Sequence, residues 1–254
     1  MLPNWAFVYP AAPGTDVPGE LPPQVATRRA SLERNWAASG TRELIARDVD
    51  WRVDHNGGEG RVIVVAHLDE TLVGRTLEEL ARERQVSVSE FVVLTALQGD
   101  DELPWGMLTR GYGIHDMDVD SFYRKEYTAT SSDAGATPLG QQAAPGQHPR
   151  YFGAFVRKIA RYVKDKGVVS LPFAVRSSTS LPAQIIGLND RGIVREGYKA
   201  DLVVFDYERL RDHATVLEPD QPNEGIEYVV TGGRVALAEG AITGELAGTI
   251  IRKR

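Results

Sequence analysis

The run Arg61-Val62-Ile63-Val64-Val65-Ala66-His67 constrains the fold more than any other stretch of this chain. Its apolar residues are almost continuous and mostly β-branched, the pattern of a short strand covered on both faces, as in a parallel sheet. The turn signal Asn56-Gly57-Gly58 precedes it. Two capping-box patterns follow: Thr76 with Glu79, and Ser87 with Glu90. Each sets a hydroxyl at the N-cap and a carboxylate three residues on. The spacing predicts helices over 77–84 and 88–98, and a further short helix over 119–126. Thr128-Ala129-Thr130-Ser131-Ser132 then reads as a β-type run that ends at Asp133, beside a glycine-rich loop. Strand, helices, strand is α/β logic.

The flanks differ in texture. Residues 1–24 are rich in proline and glycine and read as a loop over a surface. Residues 25–47 read as helical, with Leu32, Trp36, Leu44 and Ile45 on the buried face and an interruption near Gly40. From Tyr151, the apolar positions Phe152, Phe155, Val156, Ile159 and Val163 recur at helical spacing, with Gly167 suited to the C′ position. Ser170 opens a further helix to about Ser180, and Pro182 at N1 opens another that Gly187 closes. After Asp190, short strand-like runs (200–205, 226–231, 234–238 and 249–252) alternate with glycines, as in a small antiparallel β unit. The expected division is therefore 1–190 and 191–254.

Composition removes several classes of function. A net charge of −6 argues against a nucleic-acid partner, and Arg252-Lys253-Arg254 reads as a solvated tail. With no cysteine there is neither a disulfide framework nor a thiolate ligand. No apolar run approaches the roughly 20 residues of a membrane span, and the first residues do not read as a signal peptide. A chain without membrane partners, resident in the cytoplasm, is the expectation. Hydrophobic residues at 42% allow a real core.

The chemistry centres on Asp133. A carboxylate at the C-terminal end of a strand, followed by a loop bearing His148-Pro149-Arg150, is how a barrel enzyme presents a metal ligand and a substrate clamp. A lone aspartate after a strand is, however, more often a turn or N-cap residue, and an isolated arginine is usually a surface one. A hydrolytic metal site needs about three or more protein ligands, and no second convincing ligand accompanies Asp133. His67 ends the first strand but reads as structural. His55, His115 and His213 lie in polar surroundings and read as surface residues. Asp69 and Glu70 begin a loop. Asp116, Asp118 and Asp120 have a calcium-like spacing without the glycine and glutamate that would complete it, and read as helix-capping residues.

Taken together, Ser131-Ser132-Asp133, His148-Pro149-Arg150, Thr179-Ser180-Leu181-Pro182-Ala183, Gly197-Tyr198-Lys199-Ala200-Asp201-Leu202-Val203-Val204-Phe205-Asp206 and Gly74-Arg75-Thr76-Leu77-Glu78-Glu79-Leu80-Ala81 form an ordered set. In order and spacing it resembles the N-acyl-D-amino-acid deacylases (D-aminoacylases) of the amidohydrolase superfamily, from about residue 60 to the end. The resemblance implies an α/β fold: the C-terminal part of a (β/α)8 TIM-type barrel over 1–190, and a β-sandwich segment over 191–254. In that family a His-x-His, a Cys or Glu ligand, two further histidines and a late aspartate hold the metal. Asp133 matches that aspartate. This sequence contains no His-x-His, and Ala134 stands where the family usually has glycine.

The resemblance implies hydrolysis of the amide of an N-acyl-D-amino acid, with one or two zinc ions in the complete enzyme. Asp133 would be both metal ligand and general base. Arg150 would clamp the substrate carboxylate through paired hydrogen bonds, and His148 would position the loop. The expected partners are the small-molecule substrate and a second chain, or further sequence, that supplies the N-terminal barrel half. Two rivals stand beside this reading: a non-catalytic remnant or scaffold that keeps the half-fold, and an amidohydrolase of another C–N bond.

Overall fold

The computed structural model describes residues 1–7, 11, 13, 25–99, 103, 106–135, 137 and 146–251. The chain mixes helices with short strands and divides into two compact units, one up to His115 together with Gly146 and one from Asp116 onward. The texture change near residue 190 falls within the second unit.

In the first unit, α1 (Val25–Ala37) and α2 (Ser39–His55) are separated at Ala38, which is extended at φ −82° and ψ 121°. Strand β1 (Val62–Ala66) carries the β-branched run, and α3 (Leu77–Glu83) and α4 (Val88–Leu97) follow it. The Thr76–Glu79 capping box forms in both directions, and Ser87 accepts from the Glu90 N–H at 3.1 Å. These caps satisfy first-turn donors that would otherwise lack partners, which is why both helix starts were readable.

The partner of β1 differs from expectation. β1 pairs antiparallel with β2 (Leu108–Gly111), in register Val62↔Gly111 and Val64↔Thr109. Its other edge is held by Val64 N–H to Arg75 O and Gly74 N–H to Val64 O. Val62 and Val64 are fully buried, whereas Ile63 and Val65 are only half-buried. The strand thus covers one face, and β-branching alone could not distinguish that from a strand covered on both. The core joins Val62 and Val64 to Leu32, Ile45, Val49, Leu77, Leu80 and Phe91. Leu2, Ala6 and Phe7 are buried in it too, so the chain's start is not a surface loop. Much of the rest of the proline-rich stretch lies outside the described residues.

The second unit starts with α5 (Asp116–Tyr123), a turn earlier than the spacing suggested. No strand forms over 128–132, which instead runs as an irregular segment whose backbone bonds are Thr128 N–H to Lys125 O at 2.9 Å and Thr130 N–H to Ser177 O at 2.7 Å. Helix α6 (Arg150–Arg157) does not continue regularly to Gly167: at Lys158 it widens into a π-helical segment, Lys158–Asp165. Helix α7 (Leu171–Ser178) is capped by Ser170 as expected. Helix α8 (Ser180–Ile185) begins before Pro182, which is tolerated in a first turn because its missing N–H would have no intrahelical acceptor.

A four-stranded antiparallel sheet completes the unit: β3 (Leu202–Phe205), β4 (Ile226–Thr231), β5 (Arg234–Ala238) and β6 (Ala241–Ile242), in that order. The fourth strand is 241–242; residues 249–251 are not in a strand, and Arg252 to Arg254 lie outside the described residues. Among the described residues no helix is long and apolar enough to cross a membrane.

The segment after β3 is clamped to α6. Arg157 donates to the buried Asp212 carboxylate at 2.5 Å and to Ala214 O at 2.9 Å, and Asn223 donates to Phe152 O. Gly153 makes this clamp possible, because a Cβ there would stand 2.0 Å from Asp212 Oδ1. Gly153→Ala should therefore cost about 2 kcal/mol or more, through displacement of a buried hydrogen-bonded carboxylate. In an Asp212→Ala background the same substitution should cost little further. Urea unfolding of the four members of this cycle checks both expectations.

Candidate functional site

Asp133 and Arg150 come together. Asp133 Oδ2 lies 2.9 Å from Arg150 Nη2. Asp133 adopts the left-handed conformation, at φ +49°, which aspartate tolerates better than most side chains and which recurs at functional loops. Its N–H donates to Ser131 Oγ at 3.3 Å. The loop passes over the start of α6: a Cβ built on Gly135 would lie 3.8 Å from Tyr151 Cε1.

Arg150 is the first residue of α6, so its position is set by a helix start rather than by the open loop expected. His148 sets that start. Its Nδ1 accepts the Arg150 N–H at 3.1 Å, and its carbonyl accepts from Tyr151 N–H. An accepting Nδ1 places the proton of a neutral imidazole on Nε2. His148 thus caps the helix, and Pro149 leads the chain directly into it. The Arg150 Nε is buried and has no hydrogen-bond partner among the described residues.

Asp133 and Arg150 are 83% and 40% exposed. A solvated pair of this kind contributes little stability, about 0–1 kcal/mol. The described residues do not compose a metal site. No three His, Cys, Asp or Glu side chains cluster among them, and the Asp133 carboxylate already faces a guanidinium.

The other candidates hold structural positions. His67 Nδ1 accepts from Asp69 N–H at 2.9 Å and its Nε2 meets Thr95 O at 3.2 Å, so both ring nitrogens are engaged. Asp69 caps the turn Glu70–Leu72 by accepting from Thr71 N–H and Oγ–H. Those bonds stabilise the carboxylate and lower its pKa. In α5, Asp116 pairs with Arg161 and Asp120 with Lys166, at 2.8 and 2.6 Å, so cationic side chains occupy the place a calcium ion would need. His55 packs on Trp51, and His213 meets Glu224 at 3.3 Å.

Sequence reasoning missed Lys158. It is 1% exposed, and its Nζ donates to Thr130 Oγ at 2.5 Å and Ser177 Oγ at 2.6 Å. The Tyr123 and Phe173 rings lie 4.8 and 5.8 Å from the amine, and among the described residues no carboxylate pairs with it. Burial lowers its pKa from 10.5 to about 8 and raises those of Tyr123 and Tyr162. A signal was present: Lys158 falls on the helical stripe Tyr151, Phe155, Tyr162, where an apolar residue belongs.

An apolar groove of about 630 Å³ also lies within the second unit, lined by Phe155, Ile159, Val175, Ile193, Val203 and Phe205, among others. Its polar walls are committed elsewhere, Arg176 to Glu126 O and Asp201 to Arg191 and Gly232 N–H. It holds no acid–base pair free for chemistry.

The model of the amidohydrolase family matches residues 46–237, and this chain belongs to that family. Within the family, the resemblance is to the D-aminoacylases. The D-aminoacylase of Alcaligenes xylosoxydans xylosoxydans is 35% identical over 182 residues, covering 72% of this chain and 34% of that protein. A solved structure of D-aminoacylase, described with a binuclear metal centre, superposes with a TM-score of 0.57 at 31% identity, over 74% of this chain and 37% of that one. N-acyl-D-glutamate deacylase of Bordetella bronchiseptica, solved with zinc and a phosphonate inhibitor, shares the fold at 24% identity and a TM-score of 0.54, over 77% of this chain and 39% of that one. The chain spans about a third of the length of these relatives.

The Lys158 amine gives stability a definite pH dependence. Its folded pKa lies below its unfolded value, so between about pH 8 and 10.5 the unfolded chain holds a proton that the folded chain has lost. The penalty is complete below pH 8 and is relieved as pH rises through this window. Relative to Lys158→Met, the wild-type chain should gain a few kcal/mol between pH 7 and 10.5, measured by urea unfolding at stepped pH.

Proposed function

We propose that this chain supplies the C-terminal portion of an N-acyl-D-amino-acid deacylase, and that residues outside these 254 complete its active site. The observation that carries the reading is the Asp133–Arg150 pair, on a loop and a helix start inside the region matched by the family. Residues 1–190 would correspond to barrel and 191–254 to a sandwich segment.

In the completed site, Asp133 takes the proton of the attacking water and passes it to the departing amine nitrogen. Arg150 turns from Asp133 to the α-carboxylate of the substrate. Its buried, unpartnered Nε supplies the second donor of a two-bond clamp. His148 keeps Arg150 at the helix start. Metal use in the family would be met by ligands mostly outside this chain, with Asp133 as its one contribution. D-aminoacylase, the relative at 35% identity, motivates N-acyl-D-amino acids as substrate class.

The sheet supports the need for a further segment or chain. β3 is an outer strand whose Leu202, Val203 and Val204 are 36%, 56% and 51% exposed, and the apolar groove lies against it. An exposed apolar edge of this kind invites strand addition.

One observation favours a second reading: the pair is closed on itself, as expected of a scaffold that retains the fold without the chemistry. Elemental analysis of the dialysed 254-residue chain, with deacylase assay in added zinc, separates the two. The proposal expects substoichiometric metal and no turnover by the chain alone. It also expects turnover once the upstream half of a related deacylase is supplied, reduced by about 100-fold or more in Asp133→Ala. A supplemented chain whose activity ignores Asp133→Ala would establish the scaffold reading.

A further inference from the structure

We infer that Lys158 is a positioning residue: its buried amine ties the loop that carries Asp133 to the two helices beneath it, and so holds Asp133 against Arg150. The inference rests on the proposed roles of Asp133 and Arg150 and extends them to a residue to which neither the family match nor the sequence motifs assign a role.

The geometry is specific. Lys158 lies on the helical run that begins with Arg150, two turns further on, at the residue where the helix widens. A π-type widening inside a helix is frequently associated with functional sites. Its Nζ reaches Thr130 Oγ, three residues before Asp133, and Ser177 Oγ on α7. The same two residues are joined a second time, through Thr130 N–H to Ser177 O at 2.7 Å. Ser177 Oγ donates onward to Ala174 O at 3.1 Å, so it presents a lone pair to the amine. The segment 128–135 makes no strand ladder. These bonds are therefore its principal anchorage on the side away from Arg150.

A buried amine with no carboxylate is a costly way to fill a core. Methionine would fill nearly the same volume without that cost. What the amine adds is direction, because a neutral amine has two N–H groups and an ammonium three, and either form can hold both hydroxyls at once. An apolar side chain would leave Thr130 held to Ser177 by its N–H alone, and the three residues to Asp133 would be less firmly fixed.

Amide hydrogen exchange and side-chain NMR on the whole 254-residue chain test this without any need for catalysis. In Lys158→Met the Thr130 amide should exchange about tenfold faster or more, as expected for loss of a hydrogen bond from a charged or polar donor. The Arg150 Nε–H resonance should shift or broaden as the guanidinium moves when its Nη2 pairing with Asp133 opens. The β4 amides of Val229 and Val230, in the same unit, should stay within about twofold. A merely structural role would accelerate all of these amides together and would overturn the inference, as would an unchanged Thr130 amide. Should Lys158→Met fail to fold, Thr130→Val removes the acceptor and leaves the amine in place. Faster exchange at Ser131 to Asp133 then supports the inference, and unchanged exchange overturns it. Asp133→Ala should leave the Thr130 amide protected. Failure of the deacylase reading, seen in activity, is thus separable from failure of the Lys158 tie, seen in exchange.

Discussion

The candidate site in the second unit depends on a buried amine, which ties Thr130 to Ser177. Among the described residues Lys158 is the unit's largest fully buried side chain, and the buried apolar residues of the unit are mostly small: Ala160, Ala174, Ala183 and Ala214, with Leu181, Leu210 and Tyr162. The first unit is packed differently, around Phe91, Ile45, Leu77 and Leu80. An apolar core is non-directional and tolerates sliding. Hydrogen bonds from an amine to two hydroxyls do not. The unit that carries the candidate site thus has the more directional interior, at the cost of desolvating a cation.

The same division bears on chemistry. Asp133 and Arg150 are exposed, and a surface pair cannot hold itself in place against water. Their geometry is imposed from below and from the side: His148 fixes the helix start under Arg150, and Thr130 is bound three residues before Asp133. Arg157 and Asp212 in turn lock α6 to the chain that follows β3. Each support is a short, directional contact to a backbone or a buried group, which is the form of support a preorganised site requires.

Legibility followed the range of the forces involved. The starts of α3, α4 and α7 were readable because capping is local: Thr76, Ser87 and Ser170 each bond to an amide three residues on. The antiparallel sheet after residue 190 was readable because glycines punctuate its strands. The resemblance marked Asp133 and Arg150 for a site but not for each other, and their ion pair was not readable, since seventeen positions separate the two residues and no periodicity links them. Three readings failed for one reason. The parallel partner of β1, the strand over 128–132 and the regular helix through Lys158 all depend on what lies opposite the segment, and that lies far along the chain.

Local order therefore belongs to the sequence: the β-branched character of β1, the capped helices, the glycine-marked turns, and the family to which the motifs point. Only the folded chain decides that β1 pairs antiparallel with β2, that Gly153 admits the Asp212 carboxylate, and that Lys158 turns inward to Thr130 and Ser177. The physical reason is the reach of the interactions. Capping and turn preferences act over three or four residues. Strand pairing, close backbone approach and burial of a charge are settled between segments tens of residues apart, where the sequence carries composition but not contact.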